Sequence, residues 1–317
     1  MKLVFLDAST IDRADLDFSP LRAFGALTLH QVTPPERVAE RIAAAEIVIT
    51  NKVPITRASL TAAPHLRLIV SAATGVNQID LDACRDHGVT VCNVAGYSTE
   101  AVAQHTFALL LNLVTAVDRY SAAIAQDWPA SATFARLDHP VIELAGKTLG
   151  IVGLGSIGRA VARIAKAFHM HVVAYARHDA SQDAEFPRLA GDDFFRACDV
   201  ISLHCPLTPQ TERFINRITL ALMKPDALLI NTGRGSLIDE NALADALRHG
   251  EIGGAGLDVL SIEPPPRSHQ LLANDLQNLI ITPHTGWTSQ EARQRLLAGV
   301  IADIQAFLDG HPIHHIV

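Results

Sequence analysis

Residues that handle protons and anions recur just after apolar runs in the last third of the chain. Arg234 lies between two glycines in the segment 231–236, NTGRGS. Glu263 precedes three consecutive prolines in the segment 256–266, GLDVLSIEPPP. His284 follows the apolar run 278–282 and opens the segment HTGW. A guanidinium holds a carboxylate or a carbonyl oxygen through two parallel hydrogen bonds. A histidine titrates near neutrality, so it serves as acid in one direction and base in the other. A neighbouring carboxylate favours the imidazolium and fixes the ring. Together these suit hydride delivery to a carbonyl, which leaves an alkoxide that must collect a proton. The chain has 15 histidines, so His284 stands out only jointly with Arg234 and Glu263. No structural metal site is expected of His311, His314 and His315. His105 reads as a satisfied core or interface residue.

A second pattern, Gly153-x-Gly155-x-x-Gly158, follows an apolar strand and opens a helix. In that context it is a phosphate-binding turn. Gly153 permits the tight turn, Gly155 lets the backbone approach a pyrophosphate, and Gly158 lets helix and strand pack closely. The helix N-terminus offers free N–H groups and partial positive charge. About 20 residues further on, an acidic residue would bond the ribose 2′-hydroxyl of NAD, whereas an arginine accommodates the 2′-phosphate of NADP. Here the strand 171–176 ends on Ala176, and Arg177 follows. NADP(H) is therefore the expected cofactor, with NAD(H) as the alternative.

The elements that must position these residues alternate between short apolar runs and helical stretches, the pattern of parallel sheets with crossover helices. A first series has strands at 2–6, 26–30, 47–50, 68–71 and 89–92, with helical segments such as 35–45 between them. A second has strands at 148–153, 171–176, 199–203, 227–231, 254–259 and 278–282. Its helices fall at 156–168, 192–197, 216–222 and 240–249. Such a βα series suits a doubly wound dinucleotide domain. Between the two lies a nearly all-apolar helix, 98–117, expected to be buried on every side, between domains or between subunits. An irregular arm, 122–143, follows it, with Trp128, Pro129 and Pro140. An amphipathic helix, 289–308, comes last.

Composition excludes several classes. At 317 residues the chain has room for two domains of roughly 150 residues each. Hydrophobic residues make up 49% and charged ones 19%, which rules out disorder for most of the chain. The net charge of −7, without a basic cluster longer than a pair, argues against nucleic acid. Cys84, Cys92, Cys198 and Cys205 form no CxxC pair and read as reduced, mostly buried thiols of a cytoplasmic protein. A run of only four apolar residues, 3–6, leads up to Asp7, too few for the core of a signal peptide. The apolar run 101–117 contains Gln104, His105 and Asn112, and is too short and polar to span a bilayer.

Taken together and in order, the segments resemble the D-isomer-specific 2-hydroxyacid dehydrogenase family over nearly the whole chain. They are GVNQID at 75–80, NVAGYST at 93–99, ELAGKT at 143–148, the GLGSIG turn, HCPLT at 204–208, NTGRG at 231–235, GLD at 256–258, Glu263-Pro264 and Pro283-His284. Within the family, TNKV at 50–53, GYST at 96–99, QHTF at 104–107 and Gly286-Trp287 are most similar to the glycerate dehydrogenase and hydroxypyruvate or glyoxylate reductase branch.

The resemblance implies an α/β fold, with a Rossmann-type doubly wound parallel sheet at 99–287 inserted into a smaller flavodoxin-like substrate domain, 1–98 with 288–317. The active site would lie in the cleft between them. It implies that Arg234 binds the substrate's carbonyl and carboxylate and that His284, paired with Glu263, is the acid/base. Asp258 would hold the nicotinamide carboxamide, within a cofactor-binding set of Gly153, Gly155, Ser156, Ile157, Gly158, Arg177, His204, Pro206, Thr232 and Asp258. Backbone N–H groups of Ala73, Thr74, Gly75 and Val76 would receive the substrate carboxylate, and Asn51 and Lys52 would border it. A homodimer joined through the cofactor domain and the 122–143 arm is implied as well. The chain departs from the family at Ala176, in place of the usual acidic residue, and at Ala95, where proline is frequent. The expected activity is reduction of a small 2-oxoacid, hydroxypyruvate or glyoxylate, to the D-hydroxyacid. Phosphite and phosphoglycerate dehydrogenases of the same fold stay open as alternatives, although the latter often add a regulatory domain for which this chain leaves no room. A non-catalytic, corepressor-like NAD(P)-binding module stays open too.

Overall fold

The computed structural model describes residues 1–176, 183 and 185–317. The chain divides into two compact units, Met1–Ser98 with Trp287–Val317, and Thr99–Gly286.

In the first unit, β1 (Lys2–Phe5), β2 (Ala26–Leu29), β3 (Ile47–Thr50), β4 (Leu68–Ser71) and β5 (Thr90–Asn93) form a five-stranded sheet. The order β2-β1-β3-β4-β5, all parallel, is the flavodoxin-like arrangement. Strands β3 and β4, IVIT and LIVS, are buried throughout, which is why they read as continuous apolar runs without alternation. The helix expected at 35–45 is shorter: a 3-10 turn, Pro35–Arg37, leads into α1 (Val38–Ile42). The short helices α2 (Arg57–Thr61) and α3 (Leu81–His87) follow. Asp80 starts α3 by accepting from the Ala83 N–H, and Gly88 ends it at φ 66°.

The second unit opens on α4 (Thr99–Thr115) and α5 (Val117–Asp127). Within the single chain, α4 buries Val102, Phe107, Leu109, Leu110 and Val114 and leaves Gln104 and Ala108 exposed. The beginning of the supposed irregular arm is helical. Ala116, at φ 52°, breaks the two helices 48° apart, and helix resumes to Asp127. The rest of the arm folds back on α5. Tyr120 Oη donates to the His139 carbonyl (3.2 Å) and accepts from its N–H (3.1 Å), and Trp128 Nε1 donates to the Phe134 carbonyl (3.0 Å). Among the described residues no single helix is long and apolar enough to cross a membrane.

The second sheet contains β6 (Thr148–Val152), β7 (His171–Ala176), β8 (Arg188–Ala190), β9 (Val200–Leu203), β10 (Leu228–Asn231), β11 (Gly254–Leu257) and β12 (Leu279–Ile281). Its helices are α6 (Ser156–Ala167), α7 (Gly191–Ala197), α8 (Arg217–Leu222) and α9 (Glu240–His249). The order β12-β11-β10-β9-β6-β7-β8, all parallel, is doubly wound about the β6/β9 junction. Sequence periodicity finds every strand but β8, whose three residues, RLA, form no apolar run.

The last helix, α10 (Gln290–Leu308), belongs to the first unit. After it the chain covers the outer edge of β5, with Val91 donating to the Val317 carbonyl (2.8 Å) and Ile316 to that of Val91 (2.8 Å). Folding brings a buried carboxylate to the terminal histidines. Asp303 is fully buried, its Oδ1 is 2.9 Å from Nδ1 of His314, and its Oδ2 has no partner. Burial pushes the Asp303 carboxyl up to about 6, with the His314 bond opposing. The folded state therefore binds this proton more tightly than the unfolded chain, whose value is 3.8. The stability it contributes is complete below about pH 4 and is lost as pH rises through about 6. Asp303→Asn mimics the protonated form but leaves one amide donor unpaired. We expect it to gain about 1 kcal/mol near neutrality and to flatten the fall in Tm between about pH 4 and 6.5. Thermal melts across that range check this, and an unchanged slope refutes it.

Candidate active site

Register puts the chemistry in line. Val152, Leu203, Asn231, Leu257 and Ile281 pair laterally in one row across β6, β9, β10, β11 and β12. With strands about 4.8 Å apart, five loops leave the sheet side by side. They begin at Gly153, His204, Thr232, Asp258 and Thr282. Residues separated by up to about 130 positions thus share one edge, the carboxyl end where ligands bind in open α/β sheets.

Gly153 turns at φ 98°, and a Cβ there would lie 2.5 Å from the Cys205 nitrogen. A Cβ on Gly158 would lie 2.2 Å from the Gly153 carbonyl oxygen. These two glycines close the turn onto β9 and α6 onto the turn. Gly155 differs, because nothing lies within 4 Å of its would-be Cβ. It caps α6 without a side-chain bond, so the N–H groups of Ser156 and Ile157 are left to an outside acceptor. An open backbone cradle at a helix N-terminus fits the pyrophosphate of a dinucleotide. His204 is held neutral, pushed down to about 4 by burial, with Nε2 2.8 Å from the hydroxyl of buried Ser202. Pro206 is exposed just beyond it. Strand β7 does end on Ala176; Arg177 lies outside the described residues.

Buried Asn231 clamps the arginine loop from both sides. Its Nδ2 donates to the Arg234 carbonyl (2.9 Å) and its Oδ1 accepts from Gly233 N–H (3.0 Å). Arg234 Nη1 donates to the Gly233 carbonyl (2.8 Å), and the Thr232 hydroxyl lies 3.2 Å from that of Thr106 on α4.

His284 Nδ1 lies 2.7 Å from Glu263 Oε2, and the other Glu263 oxygen accepts from Leu260 N–H (2.8 Å). An N–H shared with a carboxylate places the donor proton on Nδ1 and leaves Nε2 as the working nitrogen. Both side chains are about a third exposed, so the pair is reachable. His284 has φ 55°, a left-handed conformation that costs a β-carbon-bearing residue energy and is rarely adopted without restraint. The restraint is visible: its N–H donates to the carbonyls of Asp258 (2.8 Å) and Thr282 (2.9 Å).

Asp258 is 2% exposed, and its carboxylate turns inward. It accepts from the Thr282 hydroxyl (2.6 Å) and from the N–H groups of Thr285 and Gly286 (2.8 Å each), with His105 Nε2 at 3.2 Å. Burial alone would raise this carboxyl; the bonds from His105, Thr282, Gly286 and Thr285 hold it below its ordinary value. Asp258 therefore ties down the turn that carries His284. Thr282, His105 and Asn231 escape sequence reasoning in this role, since no short-range spacing links them to the residues they hold.

The first unit organises its loops by the same rule. Asp7, after β1, is 1% exposed and accepts from the N–H groups of Asn51, Lys52 and Val53, after β3. Asn51 Nδ2 donates to the Thr10 hydroxyl (3.0 Å), and Lys52 Nζ sits 5.9 Å above the Trp287 ring. After β4, Gln78 Nε2 bridges the Asn51 carbonyl and the Ser71 hydroxyl (3.0 Å each), and that hydroxyl donates to the Gly75 carbonyl (2.9 Å). Thr74 is exposed, with its hydroxyl directed to the Val94 carbonyl (3.3 Å). The N–H groups of Ala73, Thr74, Gly75 and Val76 donate to no acceptor among the described residues, which leaves them open to an anionic ligand.

A pyrophosphate cradle in line with a histidine–carboxylate pair and an arginine defines a nicotinamide-dependent oxidoreductase. Comparison with known proteins makes this specific. The family described as D-isomer specific 2-hydroxyacid dehydrogenase, NAD binding domain, matches residues 107–286, and the chain belongs to the D-isomer-specific 2-hydroxyacid dehydrogenases. It is 39% identical to a glycerate dehydrogenase of Methylorubrum extorquens over 98% of this chain and 97% of that one. It is 37% identical to a hydroxypyruvate reductase of Blautia hydrogenotrophica over 99% of each. Among solved structures, an acyclic imino acid reductase in complex with NADPH and D-Arg superposes with a TM-score of 0.87 at 29% identity, covering 100% of both chains.

Proposed function

We propose that the protein is an NADPH-preferring 2-oxoacid reductase that forms D-2-hydroxyacids, with hydroxypyruvate and glyoxylate as leading substrates. The observation that carries this reading is the 2.7 Å His284–Glu263 pair on the same sheet edge as Arg234 and the phosphate-binding turn. Its similarity to enzymes named glycerate dehydrogenase and hydroxypyruvate reductase supports the substrate class.

Gly153, Gly155, Ser156, Ile157 and Gly158 would hold the pyrophosphate, with His204, Pro206 and Thr232 along the same edge. Oδ2 of Asp258 accepts one N–H, from Gly286, which leaves a lone pair for a carboxamide N–H. The cofactor supplies the hydride when bound. Arg234 orients the substrate's carbonyl and carboxylate. His284 Nε2 gives its proton to the forming alkoxide, and Glu263 steadies the imidazolium beforehand. In the reverse direction His284 takes that proton back. Within the first unit, the open N–H groups of Ala73 to Val76, with Asn51 and Lys52 on the neighbouring loop, would suit a carboxylate.

The NADPH preference rests on Ala176, the last residue of β7, where a carboxylate would bond a ribose 2′-hydroxyl and repel a 2′-phosphate, and on Arg177 next to it in sequence. With purified protein and a panel of 2-oxoacids, kcat/KM is expected to be at least about tenfold higher with NADPH than with NADH, equivalent to about 1.4 kcal/mol. A clear NADH preference overturns the cofactor assignment, and no turnover on any 2-oxoacid overturns the function. A cytoplasmic location and a homodimer complete the proposal. The dimer is supported by the exposed apolar side chains of the second unit's arm, where Phe134 and Leu137 are 92% and 93% accessible.

A further inference from the structure

We infer that Glu240 is a positioning residue for the acid/base pair, acting through Ser261 on the loop that presents Glu263. The inference rests on the proposed roles of His284 and Glu263.

The loop from Leu260 to Glu263 is fastened at two points. On one side its backbone passes directly over Gly235, where a Cβ would lie 1.9 Å from the Leu260 carbonyl carbon. The residue beside Arg234 must therefore lack a side chain, and the arginine loop and the Glu263 loop meet there backbone to backbone. On the other side is Glu240, in the first turn of α9, where a carboxylate is favoured by the helix dipole. Its Oε1 accepts from Ser261 N–H (2.7 Å), and its Oε2 accepts from the Ser261 hydroxyl. His269 Nε2 lies 3.2 Å from the same Oε2, and His269 Nδ1 accepts from Leu271 N–H (3.3 Å). Nδ1 as acceptor leaves Nε2 as the donor toward Glu240. The Glu240 and His269 side chains are 11% and 9% exposed, so water competes little for these bonds.

The consequence falls on Glu263. Its Oε1 takes Leu260 N–H and its Oε2 takes His284 Nδ1–H, so the carboxylate is aimed by the loop's own backbone. Releasing Ser261 frees that backbone to shift. A displacement on the order of 1 Å at a proton-transfer group costs up to about 100-fold in rate. Among the described residues the Glu240 side chain bonds to Ser261 and His269 and not to the phosphate-binding turn or Arg234, so cofactor affinity should be spared.

The test compares wild type, Glu240→Ala, Glu240→Gln, Ser261→Ala and, as a control on the same surface, Glu212→Gln. Steady-state kinetics with NADPH and hydroxypyruvate or glyoxylate are combined with NADPH affinity by fluorescence and with the proton resonance of His284 Nδ1–H. Glu240→Ala is expected to lower kcat about 10- to 100-fold with NADPH affinity unchanged, and to weaken or broaden the resonance. Glu240→Gln, which keeps an acceptor for Ser261 N–H, should recover most of the loss, and Glu212→Gln should match wild type. Wild-type kcat and resonance in Glu240→Ala, or a loss confined to NADPH affinity, overturns the inference. If wild type reduces no 2-oxoacid, the proposed function fails, and the resonance alone decides whether Glu240 positions the pair. If Glu240→Ala does not fold, Ser261→Ala decides, with the same expected direction and a smaller loss.

Discussion

Replacing His284 with alanine should lower kcat by about 10²- to 10⁴-fold, the usual worth of a positioned general acid, while NADPH binding stays within about twofold. The alkoxide formed by hydride transfer is far too basic to persist in a site without a proton source. Nε2 of His284 has no partner among the described residues, whereas Nδ1 is committed to Glu263 at 2.7 Å. The ring can therefore exchange a proton at one nitrogen only. Cofactor affinity should be spared because the phosphate-binding turn is built from other strands and its glycines close on Cys205 and on each other. The variant also removes a side chain from a left-handed residue, and alanine at that φ bears a similar backbone cost, so folding should change little. Steady-state and single-turnover rates with NADPH and a 2-oxoacid check this. Full turnover in the variant would remove His284 from the chemistry.

The second large effect is expected at Arg234. Arg234→Lys should lower kcat/KM for the 2-oxoacid by about 10²- to 10³-fold, or roughly 3–4 kcal/mol, with Tm unchanged. A lysine keeps the charge but loses the planar fork that grips a carbonyl and a carboxylate together. The loop should survive, because Asn231 holds the Arg234 backbone and the Gly233 N–H and neither bond involves the guanidinium. Unlike His284→Ala, the change should raise KM as well as lower kcat, since the contact exists in the ground state and strengthens as charge develops. Adding guanidinium to Arg234→Ala should restore part of the rate. Unchanged kcat/KM in Arg234→Lys would show that one point charge suffices, and would remove the bidentate role.

Much of this was legible in the linear order of residues, for a definite reason. Strand and helix periodicity is local, so the alternating runs pointed to two parallel sheets, and most boundaries fell within a residue or two of those found. The departures have local causes too. Strand β8 carries only RLA, and α5 lacks any buried residue to mark it as helix.

The division at the active site follows the same physics. Residue type and position after a strand were enough to single out Arg234, Glu263, His284 and the three glycines, because proton transfer, anion binding and close backbone approach each demand a particular side chain or none. What holds them could be found only in three dimensions. Asp258, proposed to meet the cofactor, also gathers Thr282, Thr285, Gly286 and His105 around the histidine turn. Asn231, Glu240 and Asp7 carry no motif of their own as clamps. Hydrogen bonds between distant segments depend on register and burial, and a row such as Val152–Leu203–Asn231–Leu257–Ile281 exists only once the sheet has formed. The order of elements and the types of the proposed reacting groups are local properties of the chain; their aim depends on contacts that exist only in the folded sheet.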